Sequence, residues 1–284
     1  MTLRLLSLAW RVSRFRFWIY TGGTYVVGYA IGMDSWTAFF DPAYILFLVY
    51  FFLPANVLIY GVNDWWDQDT DRFNPKKDVK EYRISDADGR DLLLLLALAG
   101  AVSLALFFVL DLVGGALLLL FLFLSYFYSA PPLRFKEVPF LDFSSNMLYV
   151  IPGILGYYLA SGALPSPALV LAGYLHISAM HLFSAVPDIS FDAAAGMKTT
   201  AVVLGRRRSL LLCLVFWSGL AVLVIYLAGL RPLSLLALVY PAVPLALLLR
   251  EGLSIDRVYW YLPYINTGFG GLVFLLATLR TVMW

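Results

Sequence analysis

Two short stretches of the 284-residue chain gather side chains able to hold a cation: Asn63, Asp64, Asp67, Asp69 and Asp71 in one, Asp188 and Asp192 in the other. Steps of three, four and seven set Tyr60, Asn63, Asp64, Asp67 and Asp71 along one helical stripe, provided the helix carrying Tyr60 runs on. Asp188 and Asp192, four apart, share a face in the same way. Carboxylates this close repel one another unless a cation lies between them. A hard ion such as Mg2+ binds through one or two carboxylates, and phosphate oxygens complete its shell. Arg72, Lys76, Lys77, Arg134, Lys136 and Lys198 stand in the neighbouring sequence. Acids for a metal with bases nearby suit a diphosphate, whose oxygens take both. One such aspartate alone reads as half of a surface salt bridge; two spaced clusters point to the cation. A calcium loop is excluded, because Arg72 stands where the sharp turn needs Gly, and Pro75 follows.

The elements that must position these groups are membrane helices. The chain is 62% hydrophobic and 13% charged, with mean hydropathy +0.82, whereas soluble domains carry about 25% charged residues. The single cysteine, Cys213, allows no intramolecular disulfide and no cysteine-based metal site, and a net charge of +2 gives no argument for nucleic acid. At about 20 apolar residues per crossing, the sequence predicts an all-α, polytopic bundle of nine spans forming one domain over residues 1–284. The spans are Phe17 to Gly32, Tyr44 to Asn63, Leu92 to Leu110, Gly114 to Ser129, Leu141 to Ala160, Ala168 to Pro187, Leu210 to Leu227, Pro232 to Leu249 and Trp260 to Met283. With nine, every basic residue except Arg231 and Arg280 falls on the side of the N-terminus. By the positive-inside rule that side is cytoplasmic. The long connections Asp64 to Asp91 and Asp188 to Ser209 lie there too, so function is expected on the cytoplasmic face of the cell membrane. Leu5 to Trp10, followed by arginines and no cleavage site, is expected to stay on the protein as an interfacial segment. Gly22, Gly23, Gly28, Gly153, Gly156, Gly268, Gly270 and Gly271 are candidates for close helix approach.

Asn63 to Asp71 reads NDxxDxxxD and Asp188 to Asp192 reads DxxxD, and in these paired signatures the chain resembles the UbiA superfamily of intramembrane prenyltransferases. Within it, Tyr60-Gly61-Val62-Asn63-Asp64 running to Asn74-Pro75-Lys76-Lys77, the run Tyr128 to Glu137, and Ala185-Val186-Pro187-Asp188 are most similar to the lycopene elongase branch, which builds C50 carotenoids. The YxxxK motif of quinone-type members is absent, since Ala130 and Pro132 stand four residues after Tyr126 and Tyr128.

The resemblance implies a nine-helix bundle with a cytoplasmic polar cap. Asp64, Asp67, Asp71, Asp188 and Asp192 would hold Mg2+ against an allylic diphosphate, expected to be dimethylallyl diphosphate, with Asn63 orienting a carboxylate or touching phosphate. Arg72, Lys77, Arg134, Lys136 and Lys198 would neutralise the departing diphosphate. Tyr60, Trp65, Trp66, Tyr126, Tyr128 and Tyr149 are available to line the space around an allyl cation, and His181 is a candidate on the face of Asp188. The acceptor, lycopene or a related carotenoid end group, would enter from the bilayer lipid. Two rivals stand beside this reading. A quinone precursor or other lipid could be the acceptor, or the chain could be a cation-coupled transporter, although transporters usually set their ionisable groups near the midplane.

Overall fold

The structure is a computed structural model that describes residues 2–68, 82–250 and 252–283. Among these, helix is the only regular secondary structure. In chain order the α-helices are α1 (Thr2–Val12), α2 (Gly22–Gly32), α3 (Pro42–Phe52), α4 (Pro54–Trp66), α5 (Gly89–Leu106), α6 (Leu112–Phe127), α7 (Leu141–Ser144), α8 (Ile151–Ser161), α9 (Pro167–Ala185), α10 (Ile189–Ala194), α11 (Thr200–Ala228), α12 (Val239–Leu249) and α13 (Ile255–Met283). Five stretches are long and apolar enough to cross a membrane: Pro42–Trp66, Gly89–Val109, Pro167–Ala194, Thr200–Ala228 and Ile255–Val282. The shortest has 21 residues, which at about 1.5 Å per residue covers about 30 Å of hydrocarbon. The protein is therefore a multi-pass membrane protein.

The other expected spans are shorter or jointed. Leu112–Phe127 and Ser234–Leu249 are apolar but short. The stretch expected as one helix over Leu141 to Ala160 is α7, a 3₁₀ segment Ser145–Tyr149, and α8. Here Ser145 Oγ and Asn146 Nδ2 both donate to the Asp142 carbonyl, at 3.3 and 2.6 Å. Such side chains compete with the helical ladder for its acceptors. Phe17 to Gly32 is likewise divided into a 3₁₀ segment, Phe15–Tyr20, and α2.

The chain falls into two compact units. The first comprises Met1–Arg134, Ile151–Leu164 and Thr267–Trp284; the second comprises Phe135–Val150 and Pro165–Asn266.

In the first unit, α2 and α8 meet backbone to backbone. A Cβ on Gly156 would stand 2.5 Å from the Tyr25 carbonyl oxygen, and one on Gly28 would collide with the Gly153 carbonyl. Close approach thus accounts for Gly28 and Gly156, whereas Gly268 and Gly271 have open space around them. The α3–α4 stretch bends at Leu53, because Pro54 has no N–H to continue the ladder. Asn56 repairs the break: its Nδ2 donates to the carbonyls of Phe51 and Phe52 at 2.8 and 3.0 Å and to Thr21 Oγ1 at 2.7 Å. Helix α1 lays Leu8, Ala9 and Val12 on Val57 of α4 and on Leu92, Leu95 and Ala99 of α5, while Leu3, Leu6 and Trp10 stay exposed. Arg4 ties it down through Asp91, 2.8 Å away, and the Ala87 carbonyl at 2.7 Å.

The second unit is built on α9, α11 and α12. Trp217 is fully buried, with Phe183 and Tyr240 ring centroids 5.6 and 5.8 Å away. Helix α11 breaks at Gly205, whose φ of 72° and ψ of 167° are non-helical. A side chain at that φ is strained even with space around it. The expected span Leu210 to Leu227 begins beyond the break, with Arg206, Arg207 and Arg208 between.

Candidate active site

The first carboxylate cluster sits at the C-terminal end of α4. Asp64 and Asp67 are buried. Asp67 is the residue that ends the helix, its N–H returning to the Asn63 carbonyl at 3.0 Å. Buried carboxylates must be compensated, and two arginines do this. Arg14 Nη2 lies 2.7 Å from Asp64 Oδ1, and Arg134 Nη2 lies 3.3 Å from Asp67 Oδ1. Asn63 knits the pair together: its Nδ2 donates to Asp67 Oδ2 at 2.6 Å and Ser129 Oγ at 2.9 Å, and its Oδ1 accepts from Arg14 at 3.5 Å. The Arg14 guanidinium also lies over the Tyr60 ring, 4.7 Å from its centroid. Arg14 and Arg134 both have positive φ, 51° and 41°, so each projects from a bend rather than from a helix.

The second cluster lies where α9 gives way, through the 3₁₀ turn Val186–Asp188, to α10. Asp188 is half-buried and Asp192 is buried. Asp192 Oδ2 accepts from Thr199 Oγ1 at 3.4 Å, and its carbonyl accepts from the Met197 N–H at 2.9 Å. Lys136 is half-buried in the 3₁₀ turn Phe135–Glu137, and Lys198 is exposed in the turn before α11. His181, in α9, interacts electrostatically with Asp142 of α7.

The structure brings Asn63, Asp64, Asp67, Arg134 and Tyr60 into one cluster and places Asp188 and Asp192 along one short turn of helix. Asp71, Arg72 and Lys77 lie outside the described residues. Tyr128 and Tyr149 are half-buried, while the Tyr126 ring is exposed and packs edge-on against Phe127. Four residues went unseen in the sequence as site residues. Arg14 is 50 residues from its partner Asp64, with no spacing rule to join them. Ser129 and the Asp142–Thr200 pair carry no local signature, although Thr200 follows the helix-capping Thr199.

Among the described residues the groups in these clusters able to ligate a cation are oxygens: carboxylates in both, the Asn63 amide oxygen and the Ser129 hydroxyl in the first, and the Thr199 hydroxyl in the second. That set fits a hard divalent cation such as Mg2+, and guanidinium groups already stand against Asp64 and Asp67. Among the described residues no three His, Cys, Asp or Glu side chains converge on one point.

The UbiA prenyltransferase family matches residues 21–278. The chain belongs to that family. Among relatives of this UbiA prenyltransferase, the lycopene elongase/hydratase of Haloarcula japonica is 39% identical over 99% of this chain and 94% of its own. That of Haloferax volcanii is 42% identical over 98% of this chain and 91% of its own. A UbiA homolog from Archaeoglobus fulgidus, solved bound to GPP and Mg2+ and separately to DMAPP and Mg2+, has the same fold. Its TM-scores are 0.67 and 0.65 at 22% identity, covering 93% of this chain and 98% of that one. As a member of this family the protein is an enzyme, a transferase of prenyl groups.

Proposed function

We propose that the protein transfers a dimethylallyl group from its diphosphate to the end of lycopene or a closely related carotenoid, as a lycopene elongase. The observation that carries this reading is the 39% and 42% identity, over nearly the whole chain, to two lycopene elongase/hydratases. Asp64, Asp67 and Asp71 at one cluster and Asp188 and Asp192 at the other would hold Mg2+. The bound metal supplies Lewis-acid neutralisation of the diphosphate oxygens.

The remaining chemistry belongs to the side chains. Asn63 keeps the Asp67 carboxylate turned by its 2.6 Å hydrogen bond. Arg134 and Lys136, with Lys198, Arg72 and Lys77, take diphosphate oxygens as charge develops on them; losing one such donor costs about 10²–10³ in rate. The allylic C–O bond breaks with its electron pair leaving on the diphosphate. The terminal alkene of the carotenoid then supplies the pair for the new C–C bond. Tyr60, over whose ring the Arg14 guanidinium lies, and Tyr126, Tyr128, Tyr149 and His181 are the candidates to line the path of the cation. The resulting tertiary cation loses a proton to give the elongated hydrocarbon, or takes up water and then releases a proton from the added oxygen to give a hydroxylated end.

The N-terminus and both clusters face the cytoplasm in this reading, supported by the distribution of basic residues along the sequence. The test is the purified protein in detergent with Mg2+, dimethylallyl diphosphate, and lycopene and a quinone precursor offered together, its products read by mass. Elongated carotenoid is the expected product. Transfer to a quinone precursor with lycopene untouched would overturn the choice of acceptor.

A further inference from the structure

We infer that Asp142 and Thr200 form a buried staple that positions the second carboxylate cluster together with the segments that carry Lys136 and Lys198. The inference rests on the metal–diphosphate reading above, and neither residue touches the substrate in it; both are positioning residues.

Asp142 is 1% exposed. Its carboxylate accepts from the Thr200 N–H at 2.7 Å, from the Thr200 hydroxyl, and from the Phe143 N–H at 2.9 Å. A buried carboxylate is tolerated only when its lone pairs are filled in this way. The two bonds from Thr200 join positions 58 residues apart, so they link segments that the chain itself does not hold together.

The Thr200 hydroxyl acts in both directions. While donating to Asp142 it accepts from the Phe140 N–H at 2.6 Å. Phe140 has φ of 67°, a region that residues with side chains seldom adopt and that persists only where surrounding contacts over-determine it. The hydroxyl therefore fixes the bend that follows the Phe135–Glu137 turn, and that turn carries Lys136.

On the other side, Thr199 Oγ1 accepts from the Val202 N–H at 3.3 Å, capping α11, and donates to Asp192 Oδ2 at 3.4 Å. The Met197 N–H closes on the Asp192 carbonyl at 2.9 Å, around Gly196 with its φ of 75°. Lys198 stands in the short stretch between those two anchors. Asp192, Lys198 and Lys136 thus hang from one buried carboxylate–threonine pair. A ligand carboxylate held by its own hydrogen-bond partners binds metal more tightly than one left to turn.

A cap that served stability alone would shift the melting temperature and leave ligand affinity unchanged in the folded molecules. The test is therefore Mn2+ binding, read by electron paramagnetic resonance on the purified full chain in detergent with dimethylallyl diphosphate present. Thr200→Val removes both bonds of the hydroxyl and is expected to weaken Mn2+ binding about tenfold or more, as loss of such supporting partners does, while Thr200→Ser restores it to within about twofold. If Thr200→Val does not fold, Asp142→Asn is read instead, since its amide sets a donor against a donor of Thr200; the same weakening is expected. Unchanged affinity in whichever folded variant is read, with Asp192→Ala losing the ion, overturns the staple and leaves the metal–diphosphate reading standing. A wild-type protein that binds no Mn2+ removes that reading, and the staple's role with it.

Discussion

Replacing Arg14 by alanine should remove the guanidinium that stands against the buried Asp64 carboxylate. The two groups are 2.7 Å apart, with side chains 13% and 2% exposed. At an effective dielectric of about 20, their gross attraction is about 6 kcal/mol. Much of it offsets desolvation, but removing one partner of a buried pair typically costs about 3–5 kcal/mol. The guanidinium over Tyr60 adds about 0.5–1 kcal/mol. Taking about 3 kcal/mol, and about 2 °C per kcal/mol for a chain of this size, the melting midpoint should fall by about 6 °C. The assay is intrinsic-fluorescence melting of the purified protein in detergent with EDTA. Added Mg2+ should raise the midpoint of Arg14→Ala more than that of the wild type, because a cation at Asp64 replaces the lost charge. Arg14→Ala melting within about 1 °C of the wild type, where some 6 °C is expected, would refute this reasoning. So would an equal response of the two proteins to Mg2+.

Other outcomes follow from the same contacts. Burial alone would raise the Asp88 carboxyl, but hydrogen bonds from Ser85 and Tyr82 and the charge of Arg4 outweigh it and hold the group below its ordinary value. A depressed carboxyl contributes stability above its unfolded pKa, about 3.9, and loses it as pH falls below that value. The stability difference between wild type and Asp88→Asn should therefore be constant above about pH 5 and shrink below it, checked by melting across that range. Gly156→Val should abolish folding or cost about 3 kcal/mol or more, because its Cβ meets a carbonyl and not a movable side chain; fluorescence size-exclusion chromatography of the expressed protein reports it. Lys136→Arg should keep more activity than Lys136→Ala in the product assay, and equal losses would argue against an electrostatic role.

The first cluster was legible because polar residues at helical spacing stand out in an apolar chain, and α4 carries Tyr60, Asn63 and Asp64 as that spacing requires. What compensates those carboxylates was not legible. Arg14 reaches Asp64 from a bend that no periodicity marks, and in the sequence it counted only toward orientation. The Asp142–Thr200 pair was hidden for the same reason, since a hydrogen bond across 58 residues leaves no trace in spacing. The apolar runs located the helical segments but not their joints. Pro54 marked a break whose repair depends on Asn56, and the Ser144-Ser145-Asn146 run lies inside a stretch that composition alone reads as one span. Gly28 and Gly156 fit the expectation of close helix approach. Gly205 was not singled out, and its role is a backbone conformation that only φ reveals.

Carbon–carbon bond formation on a carotenoid end, with the diphosphate held through a carboxylate-bound metal, is read out in a lycopene-accumulating host. The chain and its Asp67→Ala variant are expressed at equal folded levels, and the pigments are separated and weighed by mass spectrometry. Species heavier than lycopene by one or two C5 units, with or without added water at each new end, are expected in the wild type and not in the variant. Unaltered lycopene alongside well-folded wild-type protein would contradict the assignment of the acceptor, and elongated pigment persisting in Asp67→Ala would contradict the role given to the first carboxylate cluster.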